Sequence, residues 1–359
     1  MPVSKRKVAV LGASGLVGQR LVRSLVGHPW FEVVALGGSK RRAGTPFRDV
    51  LHPLGSGDLH GAAVPQELAD MRLLECEPGA AFDCDIVFSA LPAEVAEQVE
   101  PAFAQAGYAV VSNARTYRMD ADVPLVIPEV NHDHIALVEK QRRERGWRGC
   151  IVTNPNCSTI ALTLTIAPLA RKFGIEAVQV TTMQALSGAG LSGPSALDML
   201  DNVVPYIGGE EDKLETEPQK LLGTLAAGSI EPMDIKISAQ CNRVSTVHGH
   251  LECVAVKLGS RVEQDELLAA WAEWHPLQDA GLHLPSAPAQ PVIYLQEPNR
   301  PQPRVDRDLE NGMASIVGRL RPDPILDYKF VALGHNLARG AAGGTLLLAE
   351  LLHASGAID

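Results

Sequence analysis

Along the first part of the chain, short apolar runs alternate with longer segments whose apolar residues recur at helical spacing. Short apolar runs bounded by charged residues or glycine are typical of buried strands. They lie at residues 7–11, 31–36, 86–91 and 109–112. Regular alternation of strands and helices predicts an α/β fold with a doubly wound parallel sheet.

Beyond residue 153 the spacing of the apolar residues changes. Apolar runs at residues 176–183, 233–240, 251–258 and 313–320 suit a mixed or antiparallel sheet. The chain has 359 residues, more than a single domain usually holds. We therefore predict two domains: residues 1–153 together with a C-terminal helix at about 335–359, and residues 154–334.

Two segments near the C-terminus add to this picture. Prolines recur through residues 283–310 and predict a long loop without a helix. Residues 341–353 are apolar after a glycine pair and predict a helix. We expect that helix to fold back onto the first domain.

A glycine-rich turn stands between the first predicted strand and the first predicted helix. Its sequence is GASGLVG, residues 12–18. Glycines let the backbone turn sharply and approach a pyrophosphate, which rests on the helix N-terminus. Strand, glycine turn and helix in this order favour a dinucleotide site over a plain strand–helix turn. The predicted contacts here are Gly12, Ser14, Gly15, Leu16 and Val17.

The second predicted strand leads into a basic run, GGSKRR at residues 37–42, and not to the acidic residue that binds the ribose of NAD. A hydroxyl and several cations suit a 2′-phosphate, so NADP is predicted in preference to NAD. A solvated basic loop is the alternative interpretation. The further predicted cofactor contacts are Ser39, Arg41, Arg42 and, at the third predicted strand, Ser89.

Charge and cysteine content exclude several classes of protein. A net charge of −10 disfavours a general nucleic-acid binder. No apolar run approaches the length of a membrane span, and the N-terminus has no hydrophobic signal core. The six cysteines have neither paired nor zinc-like spacing, which predicts free thiols in a reducing cytoplasm.

One cysteine stands at the start of a helix-like pattern. In NPNCSTIAL, residues 154–162, Cys157 follows a predicted tight turn. Free backbone N–H groups and the positive end of the helix dipole favour an anion there. A thiol in that place is expected to lose its proton more easily than a free cysteine, so Cys157 is predicted to be a nucleophile. A small buried core residue is the alternative.

Two histidines, His248 and His250, are candidates for acid–base work because histidine titrates near neutrality. Strand parity does not separate them, since both would point to one face of a strand. A metal-binding pair is disfavoured because no carboxylate or cysteine spacing supports it, so no metal is predicted.

These motifs resemble the aspartate-semialdehyde dehydrogenases, in particular their archaeal and fungal-like branch. The resemblance runs from end to end and rests on GASGLVGQR, HPWFEVVAL, YRMDADVPLVIPEVN, NPNCSTIAL, QALSGAG, GEEDK, CNRVSTVHGH, PRVDRDLENGM and HNLARGAAGG. It implies a Rossmann-type NADP-binding domain, a second α+β catalytic and dimerisation domain, and homodimers or homotetramers.

The resemblance also implies a role for individual residues. It makes Cys157 the acyl-thioester nucleophile and places its histidine seven residues after Arg243, at His250. Seven residues along one strand would put Arg243 and His250 on opposite faces, unless Gly249 introduces a kink. The other implied residues are Gln184 and Asn156 at the substrate, Arg243 at its carboxylate, Glu210 at its amine, Lys213 and Arg118 at its phosphate, and Ser187, Gly188 and Asn336 at the nicotinamide.

The physical chemistry of such a substrate agrees with several of these roles. An amino-acid acyl phosphate carries an ammonium, a carboxylate and a phosphate, and so needs an acid, a bidentate cation and a phosphate cradle. Glu210 and Lys213 are three apart and would share a helix face, with Glu211 pointing elsewhere. A solvated helix face is the alternative for this cluster.

The sequence therefore predicts NADPH-dependent reduction of L-aspartyl-4-phosphate to L-aspartate-4-semialdehyde through a Cys157 thioester. A malonyl-CoA reductase-like enzyme is the nearest alternative. A non-catalytic NADP-binding regulator is an alternative of another class, which the presence of Cys157, Arg243 and His250 disfavours.

Overall fold

The computed structural model describes residues 5–52 and 63–358, so both ends of the first predicted domain and its residues 53–62 lie outside the described residues. The N-terminal part forms a six-stranded parallel sheet with strand order β3-β2-β1-β4-β5-β6. The strands are β1 (Arg6–Leu11), β2 (Phe31–Gly38), β3 (Leu74–Glu75), β4 (Ile86–Ser89), β5 (Ala109–Ser112) and β6 (Cys150–Thr153). This order, reversing beside β1, confirms the predicted doubly wound sheet.

Helices connect these parallel strands. They are α1 (Leu16–Ser24), α2 (Gln66–Asp70), α3 (Ala93–Ala106), α4 (Pro128–Asn131) and α5 (Leu137–Arg145). The central strands β4 and β5 and the edge strand β6 are buried at every residue, as expected of a parallel sheet that is covered on both faces. The carboxyl ends of β1 and β4 open onto the crevice where such sheets bind ligands.

A second six-stranded sheet is mixed, with strand order β10-β7-β11-β14-β13-β12, and β8 and β9 form a separate hairpin. The strands are β7 (Ile175–Gln184), β8 (Thr224–Ala226), β9 (Ser229–Glu231), β10 (Lys236–Arg243), β11 (His250–Leu258), β12 (Val292–Leu295), β13 (Ser315–Pro322) and β14 (Tyr328–Gly334). Sequence reasoning located β7, β10, β11 and β13 but missed β12 and β14. It therefore missed the strand that joins β11 to β13.

One long helix covers the inner face of this sheet. The helices of this part are α6 (Cys157–Phe173), α7 (Ala196–Met199), α8 (Glu210–Leu221), α9 (Gln264–Ala272), α10 (Pro276–Asp279), α11 (Pro303–Asp306) and α12 (Gly343–Ala354). Residues 158–169 of α6 are all buried. Trp271 of α9 donates its indole N–H to the carbonyl of Thr165 at 2.7 Å, which anchors α9 against α6. The helix therefore contacts both the mixed sheet and α9, and its N-terminus follows the edge strand β6 of the first sheet.

The last helix, α12, packs with the N-terminal sheet and not with the mixed sheet that precedes it in sequence. Its apolar residues Leu346 and Leu351 join the same core as Val8 and Phe88. The buried ring of His28 lies 2.9 Å from a carboxylate oxygen of Glu350. The expected return of the chain to the first sheet is therefore observed.

The prediction of a structureless loop over residues 283–310 is wrong. This segment contains the strand β12 and the one-turn helix α11. Pro303 occupies the first position of α11, where a missing N–H costs nothing because no partner exists for it within the helix. Prolines exclude a helix interior, but they do not exclude a helix start.

Candidate active site

The cysteine turn, residues 154–157, connects β6 to α6 and places Cys157 at the first residue of the helix. Asn156 is the N-cap residue. Its Oδ1 accepts hydrogen bonds from the backbone N–H groups of Ser158 at 3.0 Å and Thr159 at 3.2 Å. The local sequence therefore builds the predicted turn and helix start, with the cysteine at the first helical residue, and the strand β6 before the turn was not predicted.

Cys157 faces His250, the first residue of β11. The distance from Sγ to Nε2 is 3.2 Å. The other ring nitrogen, Nδ1, accepts a hydrogen bond of 3.0 Å from the backbone N–H of Ala185. Because Nδ1 accepts, the neutral ring carries its proton on Nε2 and donates it toward the sulfur.

Burial keeps both members of this pair neutral. Part of the Cys157 residue remains exposed, yet burial and then the nearby Glu210 carboxylate raise the pKa of its thiol to about 12. Burial lowers the pKa of His250 to about 3. The expectation of an easily ionised thiol is therefore wrong. Asn156 Oδ1 accepts the backbone N–H groups of Ser158 and Thr159, so these two groups do not stabilise a thiolate, and burial disfavours a negative charge on the sulfur.

Ala185, directly after β7, orients two of the predicted functional side chains. Its N–H donates to His250, and its carbonyl accepts a hydrogen bond of 2.8 Å from Nη1 of Arg243. Burial lowers the pKa of Arg243, which lies at the end of β10. A side chain at Gly188 would meet Arg243 Nη1 at 3.0 Å and His250 Cε1 at 3.1 Å. Glycine at this position keeps the space between the two groups open.

The predicted strand relation between Arg243 and His250 is wrong. They do not share a strand: Arg243 ends β10, His250 begins β11, and β7 lies between these two strands. Gly249 does adopt a left-handed φ of +95°, but it lies in the connection before β11. The two side chains come close because β10 runs parallel to β7 and β11 runs antiparallel to it, so the end of β10 and the start of β11 lie at the same end of the sheet.

Glu210 and Lys213 begin α8 and form an ion pair on one face of it. Glu210 also accepts hydrogen bonds from Asn156 Nδ2 at 3.0 and 3.1 Å and from Gln184 Nε2 at 3.3 Å. Although burial opposes ionisation, the charge of Lys213 and these donors hold the pKa of Glu210 below its ordinary value. Glu211 points elsewhere, as predicted, and accepts the backbone N–H of Cys241.

Arg118 is buried beside the cysteine turn, where it contacts a residue that sequence reasoning missed. Its Nη1 donates to Glu217 Oε1 at 2.9 Å, and its Nη2 donates to the carbonyl of Asn113 at 2.8 Å. The second oxygen of Glu217 accepts the backbone N–H of Asn156 at 2.8 Å. A spacing of seven residues from Glu210 along one helix was the only sequence signal for Glu217.

The glycine turn, residues 12–15, borders a cleft of about 500 Å³ at the carboxyl ends of β1 and β4. Gly12 has a φ of +73°, and a side chain there would lie 2.5 Å from the carbonyl oxygen of Ala90. A side chain at Gly18 would lie 2.3 Å from the carbonyl oxygen of Gly12. Gly15 is the N-cap of α1, so Leu16 and Val17 form its first turn. These glycines fit a dinucleotide, whose pyrophosphate needs close backbone approach.

The basic run begins at the edge of the same cleft. Ser39 and Lys40 are among the lining residues, and the exposed Lys40 Nζ lies 3.7 Å from Glu75. Arg41 and Arg42 continue in a short 3₁₀ turn, with Arg41 exposed to solvent. Ser89 is buried at the end of β4, close to the carboxyl of Glu100.

The three residues predicted at the nicotinamide lie near His250. Ser187 Oγ accepts a hydrogen bond of 2.9 Å from Asn336 Nδ2 and lies 2.8 Å from His248 Nδ1. Asn336 Oδ1 accepts the backbone N–H of Gly249 at 2.9 Å. His248 therefore contacts Ser187, whereas His250 contacts the sulfur. Gly188 follows Ser187 in the same short turn.

Two further features of the described residues bear on function. Within residues 5–52 and 63–358, no cluster of three or more histidine, cysteine or acidic side chains is arranged to hold a metal ion. No helix in the same part of the chain is long and apolar enough to cross a membrane.

The fold and the site define a two-domain dehydrogenase that combines a dinucleotide-type sheet with a cysteine–histidine centre on a mixed sheet. Residues 7–138 match the semialdehyde dehydrogenase NAD-binding domain, and residues 166–339 match the semialdehyde dehydrogenase dimerisation domain. The aspartate-semialdehyde dehydrogenase of Methanothermobacter thermautotrophicus is 49% identical over 349 residues, covering 96% of this chain and 98% of the relative. That of Candida albicans is 44% identical over 372 residues, covering 99% of this chain and all of the relative.

A solved structure leads to the same family. The crystal structure of Candida albicans aspartate-semialdehyde dehydrogenase with NADP has a TM-score of 0.88 and 43% identity to this chain, covering 98% of this chain and 99% of that one. The chain belongs to the aspartate-semialdehyde dehydrogenase family.

Proposed function

We propose that this protein catalyses the reversible, NADPH-dependent reduction of L-aspartyl-4-phosphate to L-aspartate-4-semialdehyde and phosphate. The observation that carries the proposal is the 3.2 Å approach of Cys157 Sγ to His250 Nε2, inside a ring of charged side chains. Family membership and the dinucleotide-type cleft support NADP as the cofactor.

The charged side chains around the sulfur match the charges of the substrate. The carboxylate of Glu210 suits the ammonium group, and the guanidinium of Arg243 suits the α-carboxylate. Lys213 and Arg118 supply the positive charge for the phosphate. Hydrogen bonds connect three of these groups to the cysteine turn or to His250. Asn156 of the cysteine turn binds Glu210, and Ala185 binds both Arg243 and His250. Glu217 joins Arg118 to Asn156.

The chemistry begins at the sulfur. Cys157 Sγ attacks the acyl carbon, the bond from that carbon to the phosphate oxygen breaks, and the thiol proton leaves with the phosphate. NADPH, when bound in the cleft, supplies the hydride that reduces the resulting thioester. Gln184 and Asn156, both hydrogen-bonded to Glu210, would hold the substrate beside the sulfur during these steps.

His250 acts first as a proton donor. Its Nδ1 is engaged by Ala185, so its exchangeable proton is on Nε2, beside the sulfur. That proton passes to the thiohemiacetal oxygen as hydride arrives, and it returns to Nε2 when the C–S bond breaks and releases the aldehyde. The Cys157 thiolate left by this step takes up one proton from solvent, which restores the thiol and replaces the proton that left with the phosphate. Ser187, Gly188 and Asn336 would line the nicotinamide next to this ring.

An initial-rate assay with aspartate semialdehyde, phosphate and NADP tests the proposal. We expect NADPH to form only when all three are present. Parallel reactions with malonyl-CoA and NADPH address the related acyl-thioester reductase. Turnover of malonyl-CoA without phosphate-dependent oxidation of aspartate semialdehyde would overturn the proposed substrate.

We further propose that the protein works as a homodimer, or as a tetramer of two such dimers. The match to a dimerisation domain supports self-association. The segment that follows Ser187 and Gly188 in sequence exposes a series of large apolar side chains, which are Leu191, Leu197, Leu200, Val203 and Tyr206. Such a series is costly to leave in water. Light scattering during size-exclusion chromatography measures the mass directly, and a monomer at micromolar concentration would contradict this proposal.

A further inference from the structure

The buried carboxylate of Glu217 joins two parts of the site that come from different domains. One oxygen accepts Nη1 of Arg118 at 2.9 Å, and the other accepts the backbone N–H of Asn156 at 2.8 Å. Arg118 lies between β5 and β6 of the first sheet, whereas Asn156 caps α6 and precedes Cys157. A single side chain thus links the proposed phosphate cation to the turn that carries the nucleophile.

The cysteine turn is held by two glutamates from the same helix. Glu217 accepts the backbone N–H of Asn156, and Glu210, seven residues earlier on α8, accepts its side-chain amide. Both carboxylates are buried. Because α8 contacts the cap residue at its main chain and its side chain, the start of α6 has little freedom to move relative to α8.

The next turn of α8 holds the main chain of the Arg118 segment. Lys220 Nζ donates to the carbonyl oxygens of Arg118 at 2.7 Å, Asp120 at 2.8 Å and Val123 at 2.8 Å. Glu217 therefore binds the guanidinium of Arg118 while Lys220 binds its backbone. The remaining side-chain contact of Arg118, from Nη2 to the Asn113 carbonyl, involves an uncharged acceptor.

The guanidinium of Arg118 retains donors for a ligand. Arg118 is buried, and its Nε has no hydrogen-bond partner among the described residues. A guanidinium carries five N–H donors, and the two contacts to Glu217 and Asn113 occupy only part of them. A buried cation with donors to spare, fixed at the nucleophile turn, is suited to a phosphate.

We propose that Glu217 is a positioning residue, which holds the Arg118 guanidinium in register with the cysteine turn so that phosphate binds beside Cys157. This inference rests on the proposed function, because it takes phosphate as a substrate. Glu217 touches neither the sulfur nor His250 in the structure and acts through Arg118 and Asn156.

The proposal is tested with the variant Glu217→Gln, whose KM values are measured in the direction that oxidises aspartate semialdehyde and consumes phosphate. Glutamine has one acceptor oxygen for two donors and no charge to balance Arg118. We expect the KM for phosphate to rise about tenfold or more, the usual effect of removing one charge-assisted hydrogen bond. The KM values for aspartate semialdehyde and NADP should change by less than about threefold, since the residues proposed to bind them are intact.

Glu215→Gln is the matched control. Glu215 lies on the same helix, and its carboxylate accepts the backbone N–H of Ala239 at 3.0 Å. A glutamine can replace that single acceptor, so all three KM values should stay near those of the wild type. Equal rises in the three KM values of Glu217→Gln, or a fall in kcat alone, would overturn the positioning role.

A double variant shows whether Glu217 acts through Arg118. In an Arg118→Ala background, adding Glu217→Gln should raise the phosphate KM by less than about twofold. Effects that multiply would overturn the proposal. If Glu217→Gln does not fold, Glu217→Asp carries the same test, because its shorter carboxylate reaches only one of the two donors. A wild type without phosphate-dependent turnover would overturn the proposed function and this inference together, whereas an active wild type whose Glu217 variants bind phosphate normally would overturn this inference alone.

Discussion

The glycine turn and the cysteine turn share the same order of strand, turn and helix, but they differ in whether the backbone N–H groups at the helix N-terminus are available to a ligand. Each follows a parallel strand of the same sheet and leads directly into a helix. At the glycine turn, no side chain of the described residues caps α1, and the turn borders an open cleft. At the cysteine turn, Asn156 caps two N–H groups of α6, and Glu217 accepts the N–H of Asn156 itself.

This difference teaches that a helix N-terminus attracts an anion only where its N–H groups are unclaimed. The glycine turn fits a pyrophosphate through its own backbone. At the cysteine turn the N–H groups of Asn156, Ser158 and Thr159 are occupied, and burial raises the pKa of Cys157 to about 12. The proposed reactivity of Cys157 must therefore come from side chains that other elements bring to it, namely His250, which lies beside the sulfur, and the cations Arg243 and Lys213, which favour a thiolate.

The largest test of this comparison removes the sulfur. Cys157→Ala should abolish turnover, because covalent chemistry needs the thiol. Binding of NADP, followed by fluorescence titration, should stay within about twofold of the wild type, because the glycine turn is a separate structure. Cys253→Ala, an exposed thiol on the mixed sheet, should leave activity intact. Dehydrogenase activity in Cys157→Ala above background would rule out a covalent mechanism.

The second test compares the two histidines. His250→Asn should lower kcat by about two to four decades, because it removes the proton donor beside the sulfur. His248→Asn should cost far less, since His248 Nδ1 lies 2.8 Å from Ser187 Oγ and not at Cys157. Steady-state kcat values for both variants decide the matter. A larger loss in His248→Asn than in His250→Asn would contradict the assignment.

The third test concerns the glycine-turn side of the comparison. Replacing Arg41 and Arg42 by alanine should raise the KM for NADP more than that for NAD, by about tenfold for each charged hydrogen bond to the 2′-phosphate that the variant removes. Arg48→Ala is the control, because that exposed guanidinium pairs with Asp70. The readout is kcat/KM with each cofactor. Equal effects on NADP and NAD, or a wild type that prefers NAD, would show that the basic run is a solvated loop.

The smallest expected effect concerns the pH dependence of folding stability through Glu100, in the domain that contains the glycine turn. Burial raises the pKa of Glu100 on α3 to about 7, from 4.5 in an unfolded chain. The folded state then holds a proton that the unfolded state releases between these pH values. The contribution of Glu100 to stability is therefore full below pH 4.5 and is lost as pH rises through about 7.

Glutamine at position 100 cannot ionise, and it can still accept the hydrogen bond from Ser112 Oγ. We expect Glu100→Gln to be more stable than the wild type at pH 8, by on the order of 1–3 kcal/mol, with the difference shrinking toward pH 5. Urea denaturation at the two pH values measures it. An equal difference in unfolding free energy between Glu100→Gln and the wild type at the two pH values would show that Glu100 does not titrate in this range.

Much of the fold was predictable because its signals are local. Strands β1, β2, β4 and β5 of the first sheet are short apolar runs between polar breaks, whereas β3 and β6 were not predicted. Gly12 in the glycine turn and Gly18 in the first helix carry local backbone requirements. The start of α6 at Cys157 follows from the Asn156 cap. In contrast, β14 was missed although it lies between β11 and β13, because strand pairing joins segments far apart in sequence.

The candidate active site likewise has features that the sequence predicted and features that only the structure showed. The residue types needed for an acyl phosphate were evident in the sequence, including Cys157, Glu210 and Lys213. Nothing in the sequence indicated that Ala185 would bind both His250 and Arg243, or that Glu217 would join Arg118 to Asn156. Those contacts use main-chain groups and a glutamate outside any motif, so no residue pattern marks them.

The sequence by itself therefore determined most strands of the two six-stranded sheets, the glycine turn, and the position of a cysteine at a helix start. Each of these depends on interactions between residues close together in the chain. Only the tertiary structure decided the protonation of the Cys157–His250 pair and the neighbours of Arg118. Burial sets the first, since it raises one pKa and lowers the other. Packing of α8 across the two domains sets the second, because it brings Glu217 to a cation ninety-nine residues away in sequence.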